Sequence, residues 1–245
     1  PEAQAERILY VVPQRVVLEP NERSTTMTIM NQSDKKRGYD ISLINSVMQD
    51  DGKTKRVDTF PYAADRMLRY VPRSVELEPG QRQTVRIMAR RPRDLEDGDY
   101  HSHIRFRERP LETPEGKDGE QLSFEVGAQF GVAVPVIVQQ GNIQSTLRLE
   151  GVDKQASTQN NKLMVNFSRT GNAEASAYLR VYRKTPDGLE MLASPFWSLA
   201  YREVDTVTRA VPLLKGQKLE GNIVLRLHEN AQEKASVLQE LEVAF

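Results

Sequence analysis

The chain has 245 residues, with 34 Lys plus Arg against 34 Asp plus Glu and no cysteine. Balanced charge argues against a general nucleic-acid binder, whose affinity rests on a basic surplus neutralising phosphates, and the missing cysteine excludes a disulfide framework and thiolate metal sites. Apolar residues make up 38%, enough for packed cores, the length allows one large domain or two of ordinary size, and no apolar run approaches the roughly 18 residues of a membrane span.

The start, Pro1 followed by Glu2-Ala3-Gln4-Ala5-Glu6, has the look of a processed end, so a removed signal peptide is expected. Short runs of period two then follow one another. Ile8 to Val12, Arg15 to Leu18, Thr26 to Met30 and Tyr39 to Ile44 are separated by Pro13, Glu19-Pro20-Asn21-Glu22 and Asn31-Gln32-Ser33-Asp34. Arg69 to Val71, Ser74 to Leu77, Thr84 to Met88, His101 to Arg107 and Leu122 to Val138 complete the first half, with Glu78-Pro79-Gly80 as a turn. The second half repeats the style at Ser145 to Leu149, Lys162 to Phe167, Ala177 to Arg183, Leu189 to Leu192, Thr206 to Val211, Asn222 to Leu227 and Val237 to Val243. Arg169-Thr170-Gly171-Asn172 and Pro186-Asp187-Gly188 punctuate these strands. Alternation with a turn about every ten residues predicts an all-β protein of two sandwiches. No stretch has a helical period of useful length. The short polar stretch Gln139-Gln140-Gly141-Asn142 divides the chain into residues 1–139 and 140–245, two immunoglobulin-like β-sandwich domains expected at a fixed angle, as a boomerang.

Catalytic signatures are missing: no Gly-x-Ser-x-Gly elbow, P-loop or dinucleotide fingerprint occurs, so no enzyme, cofactor or metal is expected. His101 and His103 share a strand face, but without a third ligand they read as surface histidines. The four arginines between Arg86 and Arg93 read as a solvated edge, with a partner-binding patch as the alternative. Trp197, Phe196 and Tyr201 read as second-domain core.

Three segments carry a family likeness. They are Pro13-Gln14-Arg15-Val16-Val17-Leu18 with Thr26 to Gln32, Pro72 to Ile87 around its Pro79-Gly80 turn, and Leu95-Glu96-Asp97-Gly98-Asp99-Tyr100 running into a strand. In this order they resemble the PapD-like family, the periplasmic chaperones of the chaperone–usher pilus pathway. The likeness covers most of residues 8 to 138; the second half matches only in length and strand content. It implies a chaperone that holds pilus or fimbrial subunits lacking their last strand by donor-strand complementation and delivers them to an outer-membrane usher. Pilins and the usher are the implied partners, with no nucleic acid and no stable membrane insertion. The alternative is an immunoglobulin-like structural or adhesion module without chaperone activity.

In the segment before the domain boundary, Leu122, Phe124, Val126, Ala128 and Phe130 alternate with Ser123, Glu125, Gly127 and Gln129. Alternation alone describes an ordinary strand with its apolar face on its own core. The resemblance implies instead that this face is donated to the client, with main-chain hydrogen bonds giving generic affinity and alternate side chains filling a groove. Val132 to Val138 is apolar without alternation and suits a strand buried on both faces, with Pro135 at an edge or bulge. The resemblance also implies that Arg15 anchors the client's C-terminal carboxylate through its guanidinium fork. Ala133 stands where the family's lysine partner is expected, which implies a divergent branch or a second base such as Arg105 or Arg107.

Overall fold

The structure, a computed structural model, describes residues 8–111, 131–160, 162–232 and 234–245. They fall into two compact units, one of residues 1–45, 57–96 and 100–141, the other of 46–56, 97–99 and 142–245.

The first strands are β1 (Leu9–Val12), β2 (Val16–Leu18), β3 (Ser24–Asn31), β4 (Arg37–Met48) and β5 (Thr54–Val57). They are followed by β6 (Leu68–Val71), β7 (Ser74–Leu77), β8 (Arg82–Ala89), β9 (Gly98–Arg109) and β10 (Gly131–Gln140). One sheet has the order β1-β3-β8-β6; the other runs β2-β10-β9-β4-β5, with β7 also on β4. Along β1, β2, β3, β6, β7 and β8 and the second half of β9 inward residues alternate with outward ones, and Leu18, Met27, Ile29, Ile87, Ile104, Phe106, Val136 and Val138 form one buried cluster between the sheets. Each such side chain contributes about 1.5–3 kcal/mol on burial. Tyr70 of β6 joins the layers, its hydroxyl donating to the Ile41 carbonyl of β4 at 2.9 Å. The β7–β8 turn follows from its sequence. Pro79 and Gly80 occupy the two central positions, Gly80 has φ 75°, and the Gln81 N–H donates to the Glu78 carbonyl at 3.0 Å. That is a type II turn, whose third residue needs the left-handed region glycine supplies.

The second unit holds β11 (Ser145–Val152), α1 (Lys154–Asn160), β12 (Lys162–Gly171), β13 (Ala175–Thr185), β14 (Gly188–Ala200), β15 (Thr206–Pro212), β16 (Asn222–His228) and β17 (Val237–Ala244). Its sheets are β11-β12-β15 and β14-β13-β16-β17, facing each other over Leu163, Phe167, Leu179, Val181, Ile223 and Leu225. The β4–β5 tip belongs to this unit: Met48 lies in its core, and the Thr208 N–H donates to the Asp50 carbonyl at 2.7 Å.

The short helix α1 is not expected from the sequence. It is capped by Asp153, whose Oδ1 accepts from the Ala156 N–H at 2.9 Å. Its inward side is polar Ser157, so no apolar period marks it. Among the described residues no helix is long and apolar enough to cross a membrane.

Candidate functional site

Arg15 immediately precedes β2, a strand of three residues whose Val16 and Leu18 are buried while Val17 is 37% exposed. β2 runs parallel to β10 in the register Val136↔Val16, Ile137↔Val17 and Val138↔Leu18. One step back along both strands sets Arg15 beside Pro135, with Ala133 two residues earlier on β10. Pro135 therefore precedes the ladder with β2, where a residue without an N–H is tolerated. The two-sided burial expected of Val132 to Val138 holds only at Val136, Ile137 and Val138; earlier in the run the strand alternates, with Ala133 exposed and Val134 buried.

Val134, Val136 and Val138 face the core, so Ala133, Pro135 and Ile137 take the other face, as Arg15 and Val17 do on β2. On β9, Ile104 and Phe106 are buried, and His103, Arg105 and Arg107 share that outward face. Because β10 separates β2 from β9, the strands that carry Arg15 and Arg105 lie two strand spacings apart, about 10 Å. Arg107 Nη2 lies 3.9 Å from Asp40 Oδ2, and Arg109 lies 3.6 Å from Asp40 and 2.9 Å from Glu76. These pairs are exposed and worth about 0–1 kcal/mol each. Leu122, Phe124, Val126, Ala128 and Phe130 lie outside the described residues; β10 begins at Gly131, directly after them.

Several side chains take places other than those expected. His101 is 1% exposed, 4.9 Å from the Phe60 ring centroid and 6.1 Å from that of His103. It is a buried histidine rather than a surface one, because its half of β9 is covered on both faces. Among the described residues no group of three His, Cys, Asp or Glu could hold a metal ion. Trp197 is 39% exposed. It sits opposite Tyr178 on the outward face of β14, while Phe196 and Tyr201 do pack on the core.

Two arginines that read as solvated or turn residues are instead enclosed. Arg91 donates from Nε to the Gln139 carbonyl at 2.9 Å, and its two Nη atoms reach the carbonyls of Glu22 and Glu19, each at 2.7 Å, and of Leu18 at 3.3 Å. Burial lowers its pKa, against the opposing pull of Glu22. In the second unit, Arg169 lies within β12, since the strand continues through the expected turn to Gly171. It is 6% exposed and donates to the carbonyls of Val204, Gly171, Ala173 and Arg202 at 2.8–2.9 Å. Nothing in a single sequence separates such an arginine from a solvated one, because what defines it is the convergence of several carbonyls, some of them from distant segments. The acidic turn also has a structural use: Asp99 is 1% exposed, and its Oδ2 accepts from the Glu174 N–H at 2.7 Å.

No protein-family model and no curated protein matches the chain. Solved structures do. A chain of the CsuC–CsuE chaperone–tip adhesion subunit pre-assembly complex, from archaic chaperone–usher Csu pili of Acinetobacter baumannii, aligns over 96% of this chain and 98% of its own length at 13% identity with a TM-score of 0.52. The YadV chaperone aligns over 96% of this chain and 100% of its own at 7% identity, also with a TM-score of 0.52. With two β-sandwich units matched along nearly the whole length, the chain has the fold of the chaperone–usher pilus chaperones.

Proposed function

We propose that this protein is a periplasmic, non-enzymatic chaperone that binds pilus or fimbrial subunits by lending them a β-strand and passes them to an outer-membrane usher. The observation that carries the reading is the near full-length likeness to chaperone structures, one of them a complex with a tip adhesion subunit. The donated strand is residues 122–130, with Phe124, Val126 and Ala128 entering the client, and Arg15 holds the client's terminal carboxylate. Two features support this. The segment runs straight into β10, already a member of a sheet, and Arg15 lies on the outward face of that sheet rather than in the core. Without the lent strand, a client would expose an apolar groove and an unpaired edge, both aggregation hazards.

The test is co-expression with a subunit encoded beside this chain, followed by recovery of a soluble one-to-one complex. Val126→Glu puts an unpaired charge into the client's groove; it is expected to abolish recovery while leaving the chaperone's own Tm nearly unchanged. Arg15→Ala is expected to leave the fold intact and weaken the complex by about 2–5 kcal/mol, as for deletion of one partner of a desolvated charge pair. A Val126→Glu protein that unfolds would return that strand to the chaperone's own core. Absence of any complex with the wild-type chain would favour a structural or adhesion module.

A further inference from the structure

Among the described residues, the outward face of the first unit's other sheet carries no carboxylate. Along β1, β3, β8 and β6 buried residues alternate with outward ones, and no outward position holds Asp, Glu or Lys. Tyr10 lies opposite Met30, which lies opposite Arg82. Arg69 lies opposite Met88, and Arg86 is flanked by Thr26 and Val71. Tyr10 is 38% and Val71 53% exposed. Among the described residues, Arg69 donates to main-chain carbonyls alone, of Arg66 at 3.0 Å and Leu68 at 2.7 Å. Among the described residues no ion pair involves Arg69, Arg82 or Arg86. In a chain with 34 basic and 34 acidic residues this is a marked segregation. The outward face of the unit's other sheet differs, since there Asp40 and Glu76 answer Arg107 and Arg109.

Composition indicates the kind of partner. Protein interfaces are enriched in Tyr, Met and Arg and depleted in Lys, Asp and Glu, which is the pattern of this face. A membrane-surface element instead combines Lys and Arg with bulky Trp, Phe or Leu, and a single-strand nucleic-acid groove relies on several stacking aromatics; the face has one aromatic residue. We infer that the outward face of the β1-β3-β8-β6 sheet is a docking surface for an acidic patch on another protein. The inference does not depend on strand donation. From Arg82 to Met88 the face runs about 20 Å, and four strands span about 15 Å. Roughly 300 Å² is well below the ~800 Å² per partner of a standard interface, so the contact is transient and salt-sensitive.

The test uses the full chain and a fluorescent synthetic peptide in which Glu alternates with Val and Tyr, read by anisotropy. Vesicles containing phosphatidylglycerol and a single-stranded DNA oligonucleotide are run in parallel. The wild-type chain is expected to bind the peptide, and Arg82→Glu/Arg86→Glu to weaken binding at least about tenfold through like-charge repulsion. Lys215→Glu/Lys218→Glu makes the same change in net charge at exposed positions of the second unit and is expected to leave binding unchanged. Arg82→Gln/Arg86→Gln, which removes charge without reversing it, should fall between wild type and the Glu pair, and guards against a misfolded variant. The inference is overturned if the wild-type chain does not bind the peptide, if both Glu pairs weaken binding equally, or if vesicles or DNA bind more tightly than the peptide.

Discussion

Tyr39 is 2% exposed, and its hydroxyl is buried without a hydrogen-bond partner among the described residues. Burial, reinforced by the nearby Glu108 carboxylate, pushes its pKa up to about 12, against about 10 in an unfolded chain. The folded value is the higher one, so this contribution to stability is complete below about pH 10 and is lost as pH rises toward 12, by about 1.4 kcal/mol per unit. Tyr39→Phe is expected to remove that alkaline loss and, by deleting an unsatisfied buried hydroxyl, to raise stability at neutral pH by about 1 kcal/mol. Urea unfolding of both proteins at pH 7 and pH 11 checks it. At this scale the sequence is a partial guide. In the alternation Arg15-Val16-Val17-Leu18, Val16 and Leu18 are buried and Val17 is exposed, which leaves Arg15 on Val17's side. Alternation says nothing of Arg91, whose carbonyl partners all lie far away in the chain, or of Arg169, which adds the distant Arg202 and Val204 carbonyls to two local ones.

Among the elements, strands with a clear apolar alternation were legible to within a few residues. Those missed have physical reasons. β5 is Thr-Lys-Arg-Val, with three of four residues exposed, so it carries no period. β14 runs on to Ala200 through Ser194-Pro195, a pair that reads as a break, and it tolerates proline because it is an edge strand. The parallel pairing of β2 with β10, which sets Arg15 beside Pro135, joins residues more than a hundred apart and has no local signature. Gly171, at the end of β12, makes an element-scale prediction. Its φ is 103°, and a Cβ there would lie 1.9 Å from the Gln144 carbonyl oxygen. Gly171→Ala is expected to cost about 3 kcal/mol or more, since strain and clash add. Gly216→Ala, with φ 84° and open space around the Cβ, should cost only about 1 kcal/mol. Thermal unfolding of the two variants side by side tests the difference.

At the scale of the whole molecule, the all-β class and the presence of two sandwiches followed from turn spacing and alternation alone, because a half-buried strand repeats every two residues whatever its partners. Strand order and register did not, since pairing between distant segments leaves no short-range mark. The proposed function adds a prediction here. A protein that receives subunits outside the cytoplasm should be released by osmotic shock with periplasmic markers, and co-fractionation with a cytoplasmic marker would contradict it.

Among the described residues, β1 lies on the rim of one sheet and, after residues 13–15, the chain continues as β2 on the rim of the other. Ten residues thus hem both layers of the sandwich. A protease cut or deletion there would not simply shorten a terminus. It would bare the flanks of β3 and β10 together, turning one lesion into two sticky borders, each able to recruit a foreign strand. Resistance of this stretch to proteolysis is therefore a gauge of how well the molecule guards itself against self-association.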